Sequence, residues 1–164
     1  MFIGRPDAVE VIPGLMVGSR PSRLQIRRLV AGGVTAVVDL RTDTESVKAR
    51  WPETTIYARF QLQDHAAPTV EALEEAGRMV ADFIRQGEVV LVHCHAGLER
   101  APTVACAALL CMGWSLGDAY RRVLEQRRDA APTEGQLAAL GELATQLGPQ
   151  NLSGSRRVTT PILS

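Results

Sequence analysis

Glu88-Val89-Val90-Leu91-Val92-His93-Cys94-His95-Ala96-Gly97-Leu98-Glu99-Arg100-Ala101-Pro102 decides the fold of this chain. Glu88 to Val92 is a short β-branched run and reads as a buried strand. Ala101 to Met112 is apolar and reads as a buried helix. The residues between them set a cysteine at a strand end, in a tight loop that opens a helix. Such a helix start presents unpaired backbone N–H groups and a positive dipole end. Loops of this kind bind anions, phosphate above all, and favour the thiolate form of a cysteine held in them. Arg100 adds a planar cation able to hold two phosphate oxygens at once. A free cysteine is often only a small core residue. Here the strand, Gly97, Arg100 and the helix all agree on an anion site.

The rest of the chain supplies a sheet around that strand. Val9-Glu10-Val11-Ile12-Pro13-Gly14-Leu15-Met16-Val17 reads as two short strands about a Pro-Gly turn. Leu24, Ile26, Leu29 and Val30 mark a short helix ended by Gly32-Gly33, and Val34 to Leu40 is a further buried strand. Residues 44–50 are polar and are expected to be helical, stopping before Pro52, and Thr54 to Leu62 alternates as a strand. Val70, Leu73, Gly77, Val80 and Ile84 fall at helical spacing, capped by Thr69 and ended by Gly87. Gly77 is costly inside a helix, which predicts close packing on the sheet at that point. Ser115 to Arg127 is another helix, and Thr133-Glu134-Gly135-Gln136 forms a capping box for a last one running to Leu147. Strands alternating with helices predict an α/β single domain, with a mostly parallel central sheet of about four to five strands and helices on both faces. Ligands of such sheets bind beyond the carboxyl ends of the strands, where Cys94 lies. Residues 1–148 are expected to form the domain and 149–164, polar and without periodicity, a mobile tail.

Composition narrows the function classes. Lys plus Arg equals Asp plus Glu, 18 each, so no global field draws the chain to nucleic acid or membranes. No secretory leader pattern and no apolar run of bilayer length is legible. Three cysteines are an odd number and argue against a disulfide scaffold. The expectation is a cytoplasmic protein in a reducing compartment, which suits a reactive thiolate.

His93-Cys94, five residues and Arg100 resemble the phosphate-binding loop of the protein tyrosine phosphatase superfamily, and Ala96-Gly97 narrows the likeness to its dual-specificity branch. Leu15-Met16-Val17-Gly18-Ser19, Gly33 to Arg41, Leu62-Gln63-Asp64-His65 and Ala119 to Arg128 resemble further segments of that branch, so the likeness runs from about residue 10 to 147. It implies a tyrosine-phosphatase-like fold and hydrolysis of phosphate monoesters through a phosphocysteine, without metal or other cofactor. Cys94 would be the nucleophile. The backbone of His95, Ala96, Gly97, Leu98, Glu99 and Arg100, with the Arg100 guanidinium, would cradle the phosphate. Asp64 would be the general acid, with Glu53, Asp43 and Glu45 as weaker candidates. His93 would order the loop and tune the thiolate. The implied partner is a phosphorylated protein or another phosphate monoester, and the oligomeric state stays open.

Several readings stay open at this level. Gln136 either positions water, as a glutamine does in some relatives, or only completes its capping box. His93-Cys94-His95 offers three ligand types in a row, but neighbouring positions at a strand end do not easily face one metal ion, and no second pair at zinc spacing exists. Where most relatives carry Ser or Thr after the arginine, this chain has Ala101-Pro102, as plant glucan phosphatases do. That loses a hydroxyl beside the thiolate and should slow the second step, and Thr103 is expected to bond back to its helix instead. His95, Leu98 and Glu99 stand where phosphoinositide-directed relatives carry lysines, which disfavours highly charged ligands. His65 is expected at the cleft rim facing solvent, and Cys106 and Cys111 in the core. The leading reading is a phosphatase of phosphotyrosine, with phosphoserine and phosphothreonine in range. Phosphoglucan as substrate, a phosphate-binding module with little turnover, and a rhodanese-like sulfurtransferase rank behind it.

Overall fold

The strand expected around Val90 is the centre of a five-stranded sheet in the computed structural model, which describes residues 4–42 and 50–148. The elements in chain order are β1 (Ala8–Ile12), β2 (Leu15–Gly18), α1 (Arg23–Ala31), β3 (Ala36–Asp39), β4 (Ile56–Arg59), α2 (Val70–Arg85), β5 (Val90–His93), α3 (Arg100–Cys111), α4 (Leu116–Gln126) and α5 (Glu134–Leu147). The sheet order is β1-β2-β5-β3-β4. Only β1 runs antiparallel, to β2, across the turn at Pro13-Gly14, where Gly14 takes φ +89°. The helix expected over residues 44–50 lies almost wholly outside the described residues, as do Asp43, Glu45 and the tail beyond Gly148.

Strand alternation divides the core in two. Ala36, Val38, Val90 and Val92 face the layer built from α2 to α5. Val37 and Leu91 face α1 through Ile26 and Leu29, joined by Val34 and Trp51. Among the described residues, helices thus cover both faces, one on one side and four on the other. α3 is buried along its whole length, which accounts for its apolar sequence. The caps read from sequence form: Thr69 accepts from the Ala72 amide, Ser115 from Asp118, and Thr133 and Gln136 close their reciprocal box. Ser22 and Gln25 make a second such box on α1.

One expectation is corrected. Gly77 does not pack on the sheet; a Cβ there would lie 2.8 Å from the carbonyl carbon of Ala107. The glycine lets α2 approach α3 backbone to backbone, and the closeness is between helices.

The parallel strands end in one row. Gly18 of β2 pairs with His93 of β5, His93 with Asp39 of β3, and Asp39 with Arg59 of β4. The loops leaving that row converge on a single patch of surface.

Candidate active site

Residues 94–99 leave β5 and enter α3, and each of their carbonyls accepts a hydrogen bond. The His93 ring Nδ1 lies 3.2 Å from Cys94 O. The Arg20 amide donates to His95 O at 3.0 Å and the Ala131 amide to Leu98 O at 2.7 Å. Arg127 donates to Ala96 O at 3.2 Å and to Gly97 O at 2.9 Å. Glu99 O accepts from the Thr103 amide at 3.1 Å and from its hydroxyl at 2.7 Å. In a trans peptide the C=O and the next N–H point in opposite directions. Carbonyls tied outward therefore turn the amides of His95 to Arg100 inward. Gly97 shows the result, its N–H donating to Cys94 Sγ at 3.2 Å. Gly97 has φ +72°, and a Cβ on it would lie 2.6 Å from the carbonyl carbon of Gly18, so no side chain fits there.

Two of the groups that fix this loop, Arg127 and His93, are buried. Arg127, 4 % exposed, grips Asp7 with two bonds of 2.6 and 2.9 Å while its other donors hold the loop. The Arg127 hydrogen bond keeps the Asp7 carboxyl below its ordinary range. His93 is fully buried, and desolvation lowers its pKa, so its ring is neutral at pH 7. Against a carbonyl, Nδ1 must carry the proton, and His93 Nε2 has no hydrogen-bond partner. Behind it, Arg41 makes a bidentate pair with Asp39 at 3.0 and 2.9 Å, and the Tyr57 hydroxyl donates to Asp39 Oδ2 at 2.8 Å. Burial is the largest single influence and works against the charge on Asp39, but the Arg41 bonds, His93 and the Tyr57 hydroxyl together outweigh it and its pKa is lowered.

Arg100 is 4 % exposed and donates from Nη1 to Leu62 O at 3.2 Å. Asp64 Oδ1 stands 3.1 Å from Arg100 Nε without lining up as an acceptor, so that N–H keeps no hydrogen-bond partner. Asp64 itself is half exposed. A cavity of about 240 Å³ lies beside this contact, walled by Leu62, Pro68, Arg100, Thr103 and Gln136.

The structure thus brings Cys94, Arg100 and Asp64 to one place with the backbone of 95–100. Gln136 completes its capping box, its Oε1 accepting from the Thr133 amide at 2.9 Å; it also lies 3.3 Å from the Thr103 hydroxyl and lines the cavity. Thr103 bonds back to its helix as expected. Glu53 lies instead in a separate hollow with Trp51 and Tyr57. His65 is on the rim and exposed, but it also contacts Glu99 at 2.7 Å. Among the described residues, the grouping of metal-ligating atoms is Asp64, His65 and Glu99, within 4.8 Å of one another, and not His93-Cys94-His95. Sequence reading missed Arg127 and Asp7. Arg127 sits in the polar run Glu125-Gln126-Arg127-Arg128, which reads as a solvated helix end. The pair Asp39 and Arg41, two charges at the end of a buried strand, was a usable signal.

The family model described as the dual specificity phosphatase catalytic domain matches residues 15–146. Human protein phosphatase Slingshot homolog 3 is 30% identical over 138 residues, covering 83% of this chain and 20% of that protein. Mouse dual specificity protein phosphatase 2 is 28% identical over 142 residues, covering 85% of this chain and 43% of its own. The chain therefore spans less than half the length of these curated relatives. Among solved structures, Tk-PTP in its active form superposes with a TM-score of 0.76 at 30% identity, over 89% of this chain and 99% of that one.

Proposed function

Since the chain belongs to the family of dual specificity phosphatase catalytic domains, we propose that it hydrolyses phosphate monoesters on protein, phosphotyrosine first, with phosphoserine and phosphothreonine in range. The observation that carries this reading is the outward tethering of the 94–99 carbonyls, which leaves an inward ring of amides around Cys94 Sγ. That ring and the Arg100 fork suit the three equatorial oxygens of a phosphoryl group in flight. Cys94 attacks phosphorus as the thiolate, and the ester oxygen leaves with the proton of Asp64. Water then attacks the phosphocysteine, gives its proton to the Asp64 carboxylate, and the thiolate departs. The positive field comes from amides and Arg100, so the reaction as drawn uses no metal.

Ala101 is fully buried and offers no hydroxyl, and the Thr103 hydroxyl is engaged with Glu99 O. The second step is therefore slowed in this reading. A cytoplasmic setting is part of the proposal, supported by three free thiols that need reducing conditions. Neither nucleic acid nor a membrane is a partner in this reading, consistent with the balanced charge; among the described residues no helix is long and apolar enough to cross a bilayer. The test is hydrolysis of an aryl phosphate and a phosphopeptide panel by wild type and Cys94→Ser. The variant should lose turnover and still bind vanadate, and undiminished hydrolysis would end the covalent mechanism.

A further inference from the structure

The side chains of Glu99 and His65 lie on different loops and have no role in the chemistry above, yet they touch. Glu99 Oε2 is 2.7 Å from His65 Nδ1, and the far side of the same ring, Nε2, is 3.6 Å from Asp64 Oδ2. Against a carboxylate only a protonated ring nitrogen can donate, so Nδ1 is the donor. His65 has φ +57° among the described residues, a region that non-glycine residues seldom adopt. The ring is 74% exposed, so core packing does not impose that backbone. The turn at His65 and the contact with Glu99 go together.

We infer that His65 and Glu99 form a strap that holds the Asp64 loop on the phosphate loop, so that both are positioning residues for proton delivery. In the unliganded site Asp64 leans on Arg100. A bound phosphoryl group claims the Arg100 guanidinium and removes that support. The His65–Glu99 bond does not involve Arg100 and survives the exchange. It keeps Asp64 over the leaving oxygen when the acid is needed. Glu99 also spends its charge on the imidazole and not on the entering phosphate. The inference rests on Asp64 being the acid.

The experiment measures kcat/KM on aryl phosphates of graded leaving-group acidity. His65→Asn is the main variant, since Asn tolerates the left-handed region and is too short to reach Glu99. Its rate on phenyl phosphate should fall about fivefold, near the upper end for an exposed polar pair. The loss should shrink steadily as the phenol becomes more acidic. Glu99→Ala should add nothing to His65→Asn, and Glu99→Gln, which keeps an acceptor oxygen, should fall less than Glu99→Ala. In an Asp64→Asn background the His65 effect should vanish. Vanadate affinity and thermal midpoint check that the phosphate loop and fold persist. A loss equal across all leaving groups, or no loss, overturns the strap while Asp64→Asn still behaves as a missing acid. If Asp64→Asn itself shows no leaving-group dependence, the acid assignment falls and the strap falls with it.

Discussion

Arg100 and Asp64 show how much rests on single side chains. A lysine at 100 is a point charge and cannot replace the guanidinium fork that donates to Leu62 O and is proposed to hold phosphate. Arg100→Lys should lose at least about a hundredfold in rate, the scale on which one oxyanion donor is measured, and also weaken vanadate binding. Asp64→Asn should slow phenyl phosphate by roughly two decades or more and an acidic phenol ester much less, as expected of general acid catalysis. The three thiols divide in the same way. Burial pushes Cys106 up to about 12 and raises Cys111 as well. Neutral-pH alkylation should therefore label Cys94 and inactivate the protein before either of the others reacts, as peptide mapping would show. That Cys94, Arg100 and Asp64 come together was legible because their residue types and spacing are those the proposed chemistry would need. Arg127 and Asp7 were not, because they meet only after some 120 residues of chain have folded, and nothing local to either residue marks the pairing.

At the scale of elements, glycines fix two approaches. Gly77→Ala would drive a Cβ to 2.8 Å from the Ala107 carbonyl carbon and separate α2 from α3. Overpacking of about 1–3 kcal/mol should outweigh the helix-propensity gain of about 1 kcal/mol, and denaturant unfolding should show a net loss. Gly135 of α5 is the more informative case. A Cβ there would sit 2.8 Å from the Cβ of Ala67, three residues beyond Asp64. The Asp64 loop must yield, because α5 is anchored in the core by Leu140 and Leu143. Gly135→Ala should leave the thermal midpoint nearly unchanged or higher, while hydrolysis of poor leaving groups drops and that of good ones falls less. Element positions were readable from apolar period and caps, since Thr69, Ser115 and Thr133 mark helix starts chemically. What Gly77 packs against was not readable, because a missing side chain says that something comes close and not which element it is.

Across the whole molecule, the polar groups held by burial or by ion pairing set the response to acid. His93 has a lowered pKa, so below its ordinary value near 6.5 the unfolded chain binds a proton that the native one refuses. Stability should be full above that pH and decline as pH falls toward the native value. Asp39 and Asp7, also lowered from 3.8, add a second decline below that value. Melting temperature against pH should show both limbs, and His93→Asn should remove the upper one and shallow the lower, since His93 also favours the Asp39 carboxylate. The α/β class followed from alternation of strand and helix patterns. The antiparallel hairpin of β1 and β2 was legible in its Pro13-Gly14 turn, whereas which helices take which face came from tertiary packing, which periodicity does not encode.

The burial of α3 has a calorimetric meaning. Its first turn carries the phosphate loop and its remainder is the middle of the core. Heating cannot loosen the anion ring without dismantling the domain, so oxyanion binding and the calorimetric endotherm should disappear over one temperature interval. The Asp64 loop hangs outside that unit. On warming, selectivity for easily expelled phenols should sharpen some degrees before any heat is absorbed, and substrate preference becomes a thermometer for the periphery of the fold.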